Sequence, residues 1–340
     1  MTDSGPPSKQ TVDLKWDRLV DLTRTTYPHI KIGHERILRI GHAYGRNIRR
    51  IREMILSVSR SANIGMQMQR GYDLALLEVT NGLVAPTDPK IEKQVEILGG
   101  HKFYELMELD RQAFLTNPEG WRKHFEDVLI EMGTRTVNFA ARGGAGSGLS
   151  AILASCVMSS WTAFETMAAD LWEEAINTHP NNLAALKGTR KKGAEKDDDD
   201  EIEDASKNSQ SIGLHLLQRY HYDLRSSMGS VLRSIQRFDR LAGAREAYAQ
   251  AFYKSYDDID AALNDRCIDA LNATRNLLVH RAGLVDDQYL RKCRYLNIPQ
   301  AALGEEIVLD GEIVFNLVSP VIETSFKLMS AVDHWVLTER

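Results

Sequence analysis

The hydrophobic and polar positions of this chain alternate with the period of α-helices over most of its length. Between His34 and Ala62 the apolar residues return every three or four positions, which is the spacing of one buried helix face. A short amphipathic helix through Trp16 and Leu19 is expected before it. Further helices are expected at about 67–81, 89–98, 102–115 and 120–131. Residues 1–142 therefore predict a helical module, and none of its residues marks a chemistry that we can name.

A glycine-rich run at 143–148 separates this module from a second helical half. Small flexible residues between two helical patterns are typical of linkers, so we expect a domain boundary there and a second domain over 148–340. The second domain is expected to contain helices at about 149–177, 212–238, 245–256, 256–282 and 319–337. Between 181 and 211 the helical period is lost, and a basic block runs into an acidic one. Such a composition predicts a disordered insertion.

One segment departs from the helical pattern. Residues 306–315 have β-rich arms on either side of Asp310-Gly311, a dipeptide typical of type I′ turns. We therefore expect a small β-hairpin before the last helix. The predicted fold class is all-α, with this hairpin as the exception.

Composition limits the class of protein. The 340 residues are 43% hydrophobic and 26% charged, which is an ordinary globular balance. The three cysteines, Cys156, Cys267 and Cys293, lack metal-ligand spacing and are expected to be reduced. No apolar run reaches the roughly 20 residues of a membrane span, and the polar first ten residues are unlike a signal peptide. We expect a cytoplasmic protein without membrane contact, and the net charge of −5 leaves room only for a local basic patch.

The most informative stretch is Arg275-Asn276-Leu277-Leu278-Val279-His280, within the helix expected at 256–282. Arg275 lies at one edge of the predicted buried stripe, and Asn272, Asn276 and Val279 point away from it. Arg275 and His280 are about 140° apart on the helical wheel, so they meet only on something docked between them. The stripe itself consists of Leu263, Cys267, Leu271, Thr274, Leu278 and Ala282.

This stretch, followed by Ala282-Gly283, an acidic pair and Tyr289, resembles the signature of the HEPN superfamily. The similarity is greatest to HEPN domains of bacterial toxin and anti-phage defence systems, and it covers roughly residues 148–340. The resemblance implies a four-helix bundle and a metal-independent endoribonuclease that uses no cofactor. It also implies a homodimer, because two such motifs face each other across one composite site. An antitoxin or another defence-system partner is implied as well.

The resemblance assigns roles to four residues. His280 would exchange a proton with the 2′-hydroxyl or the 5′-oxygen of RNA, since histidine is the side chain suited to proton transfer near neutral pH. Arg275 would stabilise the charge of the phosphorane-like transition state. Asn276 would hold the imidazole or accept a hydrogen bond from Arg275. An acidic residue on the first helix often lies near the arginine in this family, which makes Glu165 the candidate to orient Arg275.

Two alternatives are open. His280 is also consistent with a histidine at a helix end that bonds a backbone carbonyl, with Arg275 in a salt bridge to Glu165. The chain would then be a catalytically inactive module that binds RNA or a protein. The second alternative concerns the arginines of 36–70, which form either a track for RNA phosphates or a solvated helix face. On a solvated face they would pair with acidic neighbours such as Glu92, Glu96, Glu105 and Glu108.

Overall fold

The computed structural model describes residues 15–24, 31–82, 86–121, 146–186 and 214–338, with isolated positions between 123 and 134. These residues are helical with no β-strand among them, which confirms the all-α class. The helices are α1 (Trp16–Arg24), α2 (Glu35–Thr80), α3 (Pro89–Thr116), α4 (Gly146–Thr178), α5 (Pro180–Leu183), α6 (Leu214–Arg219), α7 (Leu224–Arg233), α8 (Leu241–Ala251), α9 (Asp257–Leu263), α10 (Arg266–Arg281), α11 (Asp287–Cys293) and α12 (Gly311–Thr338). None of them is long and apolar enough to cross a membrane.

The first half has fewer and longer helices than its sequence predicts. α2 joins the two helices expected at 34–62 and 67–81, and α3 joins those expected at 89–98 and 102–115. Gly99 on α3 and Gly71 on α2 have a packing role. A Cβ atom on Gly99 would lie 3.2 Å from the Cα of Tyr72, and one on Gly71 would lie 2.8 Å from the carbonyl oxygen of Gly99. Glycine is therefore required where the two backbones approach closely.

The chain folds into two compact units, and they do not coincide with a single boundary at 143–148. One unit contains residues 1–24, 52–152 and 310–312, and the other contains 25–51, 153–309 and 313–340. Residues 143–145 lie outside the described part, whereas Gly146 to Gly148 belong to helix α4. Most of the insertion predicted at 181–211 also lies outside it, since the structure describes only its first residues, up to 186.

The unit that contains α3 has a small core. Ala75, Leu76 and Val95 are buried together, with three partly buried apolar neighbours around them: Tyr72, Val79 and Leu98. α1 adds the buried side chains of Trp16 and Leu19. The two long helices of this unit also leave large apolar side chains exposed, among them Met68, Ile97, Tyr104 and Leu109.

The second unit is built on four long helical segments: the first part of α2, α4, α10 and α12. The carboxylate of Asp333 on α12 accepts hydrogen bonds of 2.8 Å from the backbone N–H groups of Gly33 and His34. It thereby satisfies donors at the start of α2 that have no partner within the helix. Further along, the hydroxyl of Tyr44 donates to Ser325 at 2.9 Å, and its ring packs edge-on against Phe326.

Two buried hydrogen bonds connect α8 to α4. The indole N–H of Trp172 donates to the carbonyl oxygen of Ala247 at 2.9 Å, and the hydroxyl of Tyr248 donates to that of Ala168 at 2.7 Å. Both side chains are fully buried. α8 therefore has a fixed position from which it can contact the helix that carries the motif.

The motif helix α10 is held by a buried ion pair. Arg245 on α8 is 4% exposed and donates two hydrogen bonds, of 2.8 and 3.1 Å, to the carboxylate of Asp269 on α10. Its third contact is a bond of 3.0 Å to the carbonyl oxygen of Leu263 at the end of α9. A guanidinium with a bidentate partner has a strongly preferred geometry. The pair therefore links α10 to α8 in a defined orientation at Asp269.

The expected start of the motif helix near Tyr256 was wrong. The chain forms α9, breaks at Asn264 and Asp265, and begins again as α10. Asp265 has an extended backbone, and its carboxylate accepts the N–H of Cys267 at 3.0 Å, which is the geometry of an N-cap. The hydroxyl of Thr324 on α12 also donates to this carboxylate at 3.3 Å.

Two other expected elements were wrong. The helix expected at 212–238 is two helices, because His221 and Tyr222 have positive φ angles of 53° and 59° that end α6. The hairpin expected at 306–315 does not form. Asp310-Gly311 opens α12, and only an isolated bridge joins Glu306 to Leu284. Gly311 is needed because a Cβ atom there would lie 2.1 Å from the carbonyl oxygen of Lys15.

Replacing Asp269 by Ala tests whether the buried ion pair holds the bundle. The variant leaves the Arg245 guanidinium buried without its counter-charge. We expect the free energy of unfolding, measured by chemical denaturation, to fall by about 3 kcal/mol, the lower end for breaking a buried pair, because Asp269 is itself 24% exposed.

The matched control is Glu35→Ala, which breaks the exposed pair between Glu35 and Arg39. Exposed pairs contribute little, so the control should unfold almost as the parent does. Equal losses in the two variants would show that the buried pair has no special role.

Candidate active site

The motif residues divide between the interior and the surface of α10. Thr274 is fully buried and Leu277 is 4% exposed, whereas Arg275 and Asn276 are half-buried and His280 is exposed. The helix thus turns its motif outward, as the wheel predicted for Arg275, Asn276 and His280.

The predicted stripe of α10 was wrong in part. Leu263, Leu271 and Thr274 are buried, but Cys267 and Leu278 are half-buried and Ala282 is exposed. Asn272, expected on the outer face, is 8% exposed. The neighbours of α10 therefore cover a face that includes Asn272 and Leu277.

The Arg275 guanidinium is held at the edge of the bundle by its neighbour in the sequence. Its Nη1 donates a hydrogen bond of 2.8 Å to Oδ1 of Asn276. Of the two contacts considered for Asn276, this is the one that the structure has. The amide thereby limits the directions in which a long, flexible side chain can point.

Glu165 on α4 lies close enough to Arg275 for the two charges to interact. Burial raises the pKa of the Glu165 carboxyl above its usual value, and the positive charge of Arg275 opposes this shift. No direct ion pair within 4 Å joins these two described side chains. Glu165 therefore biases Arg275 through its field, while the hydrogen bond of the guanidinium goes to Asn276.

Two further residues shape the surroundings of Glu165 and were not predicted. The indole of Trp161, one helical turn earlier, is 2% exposed, and its N–H has no hydrogen bond of ordinary geometry. It is nevertheless near enough to lower the pKa of Glu165, whereas the negative charge of Asp239 raises it. The spacing of Trp161 and Glu165 on one helix was visible in the sequence. The approach of Asp239 depends on the path of the loop before α8.

His280 lies in the last turn of α10 and faces outward. Its imidazole makes no hydrogen bond or ion pair to any residue that the structure describes, so the predicted bond to a backbone carbonyl does not form there. Val279 beside it is 45% exposed. An apolar side chain and a free imidazole thus share the outer surface of this turn.

The residues that follow the motif build the end of the helix. Ala282 and Gly283 have positive φ angles of 52° and 85°, and the N–H of Gly283 donates to the carbonyl oxygen of Leu277 at 3.1 Å. The right-handed helix thus ends with residues in the left-handed backbone conformation, as expected where a glycine follows a helix. Asp286 caps α11 through the N–H of Tyr289, as its position predicted. The Tyr289 hydroxyl is buried and donates to Pro299, so its role is structural.

Two clefts of this unit lie away from the motif residues. A cleft of about 630 Å³ lies between α9 and the end of α12, with Tyr256, Asp258, His334 and Trp335 in its wall. A neighbouring cleft of about 610 Å³ shares Asp258 and His334 with it. Neither is lined by Glu165, Arg275, Asn276 or His280.

In the described ranges, no group of three or more His, Cys, Asp or Glu side chains is arranged to hold a metal ion. Burial raises the pKa of the Cys267 thiol, on the motif helix, to about 12. A thiol with so high a pKa remains protonated near neutral pH and is a poor nucleophile.

Comparison of the chain with family models, with curated proteins and with solved structures finds no match. The resemblance of 275–289 to the HEPN signature therefore rests on the residues themselves.

The electrostatic link between Arg275 and Glu165 can be tested without any assumption about function. Arg275→Ala removes the positive charge that opposes the effect of burial, so the pKa of the Glu165 carboxyl should rise further. Asp239→Asn removes a neighbouring negative charge and should lower it. Both shifts can be followed by ¹³C NMR titration of the side-chain carboxyls, with Glu165→Gln to assign the signal. If neither substitution changes the pKa of Glu165, the charges of Arg275 and Asp239 do not act on this carboxyl.

Proposed function

We propose that this chain is an endoribonuclease that cleaves RNA through the RNA's own 2′-hydroxyl, with Arg275 and His280 in the active site. The observation that carries the proposal is the pairing on one helix of a restrained cation and an unrestrained imidazole. Arg275 is restrained by Asn276 and is near Glu165, whereas His280 is exposed one turn later. The HEPN-like sequence 275–289 supports the same assignment.

RNA supplies the nucleophile, so the chain has to provide proton transfer and charge stabilisation. The 2′-oxygen attacks the adjacent phosphorus, and the bond between phosphorus and the 5′-oxygen breaks. The proton of the 2′-hydroxyl passes to one imidazole, and the leaving 5′-oxygen takes a proton from a second, protonated imidazole. The products are a 2′,3′-cyclic phosphate and a 5′-hydroxyl, and no step uses a metal ion.

Arg275 would stabilise the extra negative charge on the phosphoryl oxygens as the new bond forms. A guanidinium keeps its charge at any physiological pH and presents several N–H donors in one plane. Its restraint by Asn276 supports this role, because a donor that is already oriented needs less rearrangement during the reaction. Glu165 and Asn276 are positioning residues in this account.

The second imidazole is proposed to come from a second copy of the chain. Val279 is exposed in the middle of the motif surface, and a partner helix lying over it would bring two His280 side chains toward one phosphate. Closed two-fold pairs are the commonest oligomers. The open surface around His280 becomes a groove only when such a partner covers it.

One observation favours a second candidate, a catalytically inactive module that binds RNA or a protein. A catalytic histidine usually has a partner that fixes its ring, and His280 has none among the residues described here. Binding without cleavage by the parent protein would select this candidate.

Replacing the two principal residues separates the candidates. With EDTA present, His280→Ala should lower the rate of RNA cleavage by about 10²- to 10⁴-fold, the usual contribution of general acid or base catalysis. Arg275→Ala should lower it by about 10²- to 10³-fold, as for loss of one transition-state donor. RNA binding should persist in both variants.

The matched controls are Arg281→Ala and His101→Ala, which remove an exposed arginine next to the motif and an exposed histidine elsewhere. They should cleave as the parent does. Cleavage that survives His280→Ala would remove His280 from the mechanism and point to a contaminating nuclease.

Val279→Glu tests the pairing of two copies. A buried charge at the centre of the interface should convert a dimer into a species of the chain mass, 38.3 kDa, and should abolish cleavage. The control Leu303→Glu changes another exposed apolar residue of the same unit and should do neither. A fully active parent protein of 38.3 kDa in light scattering would contradict the composite site.

A further inference from the structure

The first part of α2 carries a row of basic side chains on its outer face. Arg39, His42, Arg46, Arg49 and Arg50 are all exposed, and we call them the arginine stripe. Most of their spacings are three or four residues, which places them on adjacent turns of one helix face. Between Glu35 and Glu53 the chain contains six arginines and no acidic residue, although its net charge is −5. The positive charge is therefore concentrated locally.

Most of the stripe is not neutralised by carboxylates. Arg39 is paired with Glu35. Arg46 and Arg49 have no carboxylate within 4 Å among the residues that the structure describes, and Arg50 has only a weak contact of 3.4 Å with the amide of Asn47. Two of the acidic residues considered as partners, Glu105 and Glu108, pair with Lys102 and Arg111 on their own helix. The stripe is thus available to an anionic partner.

The opposite face of the same helix is already occupied. Ile37, Tyr44, Ile48 and Ile51 are buried, and a Cβ atom on Gly41 would lie 3.5 Å from the sulfur of Met329 on α12. Leu38, at 37%, is the one large apolar side chain exposed over 35–51. A helix that binds a membrane surface needs a free apolar face to insert. This helix has none, so its exposed charge favours a water-soluble polyanion.

The stripe and the motif lie at similar heights along the bundle. α2 runs antiparallel to α12, since Gly33 contacts Asp333 and Tyr44 contacts Ser325. α10 also runs antiparallel to α12, from Asp265 at Thr324 to Gly283 at Ile307. At 1.5 Å per residue, these contacts place Arg49 and Arg275 within roughly 10 Å of each other along the bundle axis. α2 contacts α12 at Ser325 and α10 contacts it at Thr324, and neighbouring residues point about 100° apart on a helix. One strand can therefore reach both sites only by crossing the bundle surface.

We propose that the arginine stripe binds the phosphate backbone of RNA outside the nucleotides that are cleaved. Guanidinium groups match phosphate oxygens with two parallel hydrogen bonds, and such contacts position a strand without reading its sequence. The stripe anchors the strand, and the motif acts on a nucleotide further along it. The choice of RNA as the polyanion rests on the function proposed above.

Binding is measured on the full-length His280→Ala protein, so that RNA is not consumed. The probe is a fluorescent single-stranded RNA of about 20 nucleotides, longer than the site of one domain, titrated over a series of salt concentrations. Arg46→Gln, Arg49→Gln and Arg50→Gln are combined in one variant. Each lost phosphate contact should reduce the slope of log affinity against log salt by about 0.7, so the three together should reduce it by about 2.

The matched control combines Arg70→Gln, Arg225→Gln and Arg294→Gln. It removes the same charge from exposed arginines outside the stripe and should keep the parent slope. Thermal melting by circular dichroism should show both variants folded, because all six side chains are on the surface. If both variants lose the same amount of slope, net charge alone explains binding, and the proposal that the arginine stripe binds RNA is wrong. An unchanged slope in the stripe variant would overturn it as well.

Cleavage is measured on chains that keep His280, with and without the three stripe substitutions. This measurement distinguishes the inference from the proposed function. Cleavage with parent-like binding by the stripe variant refutes the stripe alone. If RNA binding depends on the stripe but no cleavage occurs, the proposed nuclease activity is refuted and RNA binding by the stripe is supported. Where cleavage occurs, the stripe variant should show a raised KM for a long RNA with an unchanged kcat. Stripe-dependent binding to phosphatidylserine vesicles, with none to RNA, would replace RNA by a membrane and overturn the inference.

Discussion

The buried ion pair between Arg245 and Asp269 is the constraint on which the candidate site depends. A guanidinium sealed between α8 and α10 needs the carboxylate of Asp269 on α10 and the carbonyl oxygen of Leu263 at the end of α9, so it holds both helices against α8. With α10 in this orientation, Thr274 and Leu277 face the interior. Arg275 and His280 must then leave the bundle on the other side. The chemistry proposed for the surface is therefore set by an interaction beneath it.

On the resulting surface the Arg275 side chain is restrained and the His280 side chain is not. Arg275 is held by an amide and influenced by a half-buried carboxylate, whereas His280 extends from the last turn of the helix into open space. Ground-state restraint suits a group that stabilises charge. A group that exchanges protons needs access to its substrate and a partner to orient it. The arrangement in a single copy of the chain supplies the access, and a second copy is the proposed source of orientation and of the second imidazole.

Much of this architecture follows from local sequence, and its departures have physical causes. Helical periodicity predicts the all-α class, and the outward direction of Arg275 and His280 follows from the helical wheel. The expected start of the motif helix near Tyr256 was wrong because the helix restarts after Asp265, where a side-chain cap competes with continued helix. The gap expected between the helices at 89–98 and 102–115 and the hairpin expected at 306–315 do not form, and Gly99 and Gly311 each lie close to a neighbouring backbone there. Such contacts join distant parts of the chain and leave no local pattern. The nearness of Asp239 to Glu165 is of the same kind.

The central claim is that this surface breaks RNA by using the 2′-hydroxyl of the substrate. The most direct measurement is incubation of the purified protein with total RNA in the presence of EDTA, followed by mapping and chemical analysis of the new ends. The account predicts cuts that leave a 2′,3′-cyclic phosphate and a 5′-hydroxyl, with none from the His280→Ala protein. Intact RNA, or new ends that carry a 5′-phosphate, would contradict it.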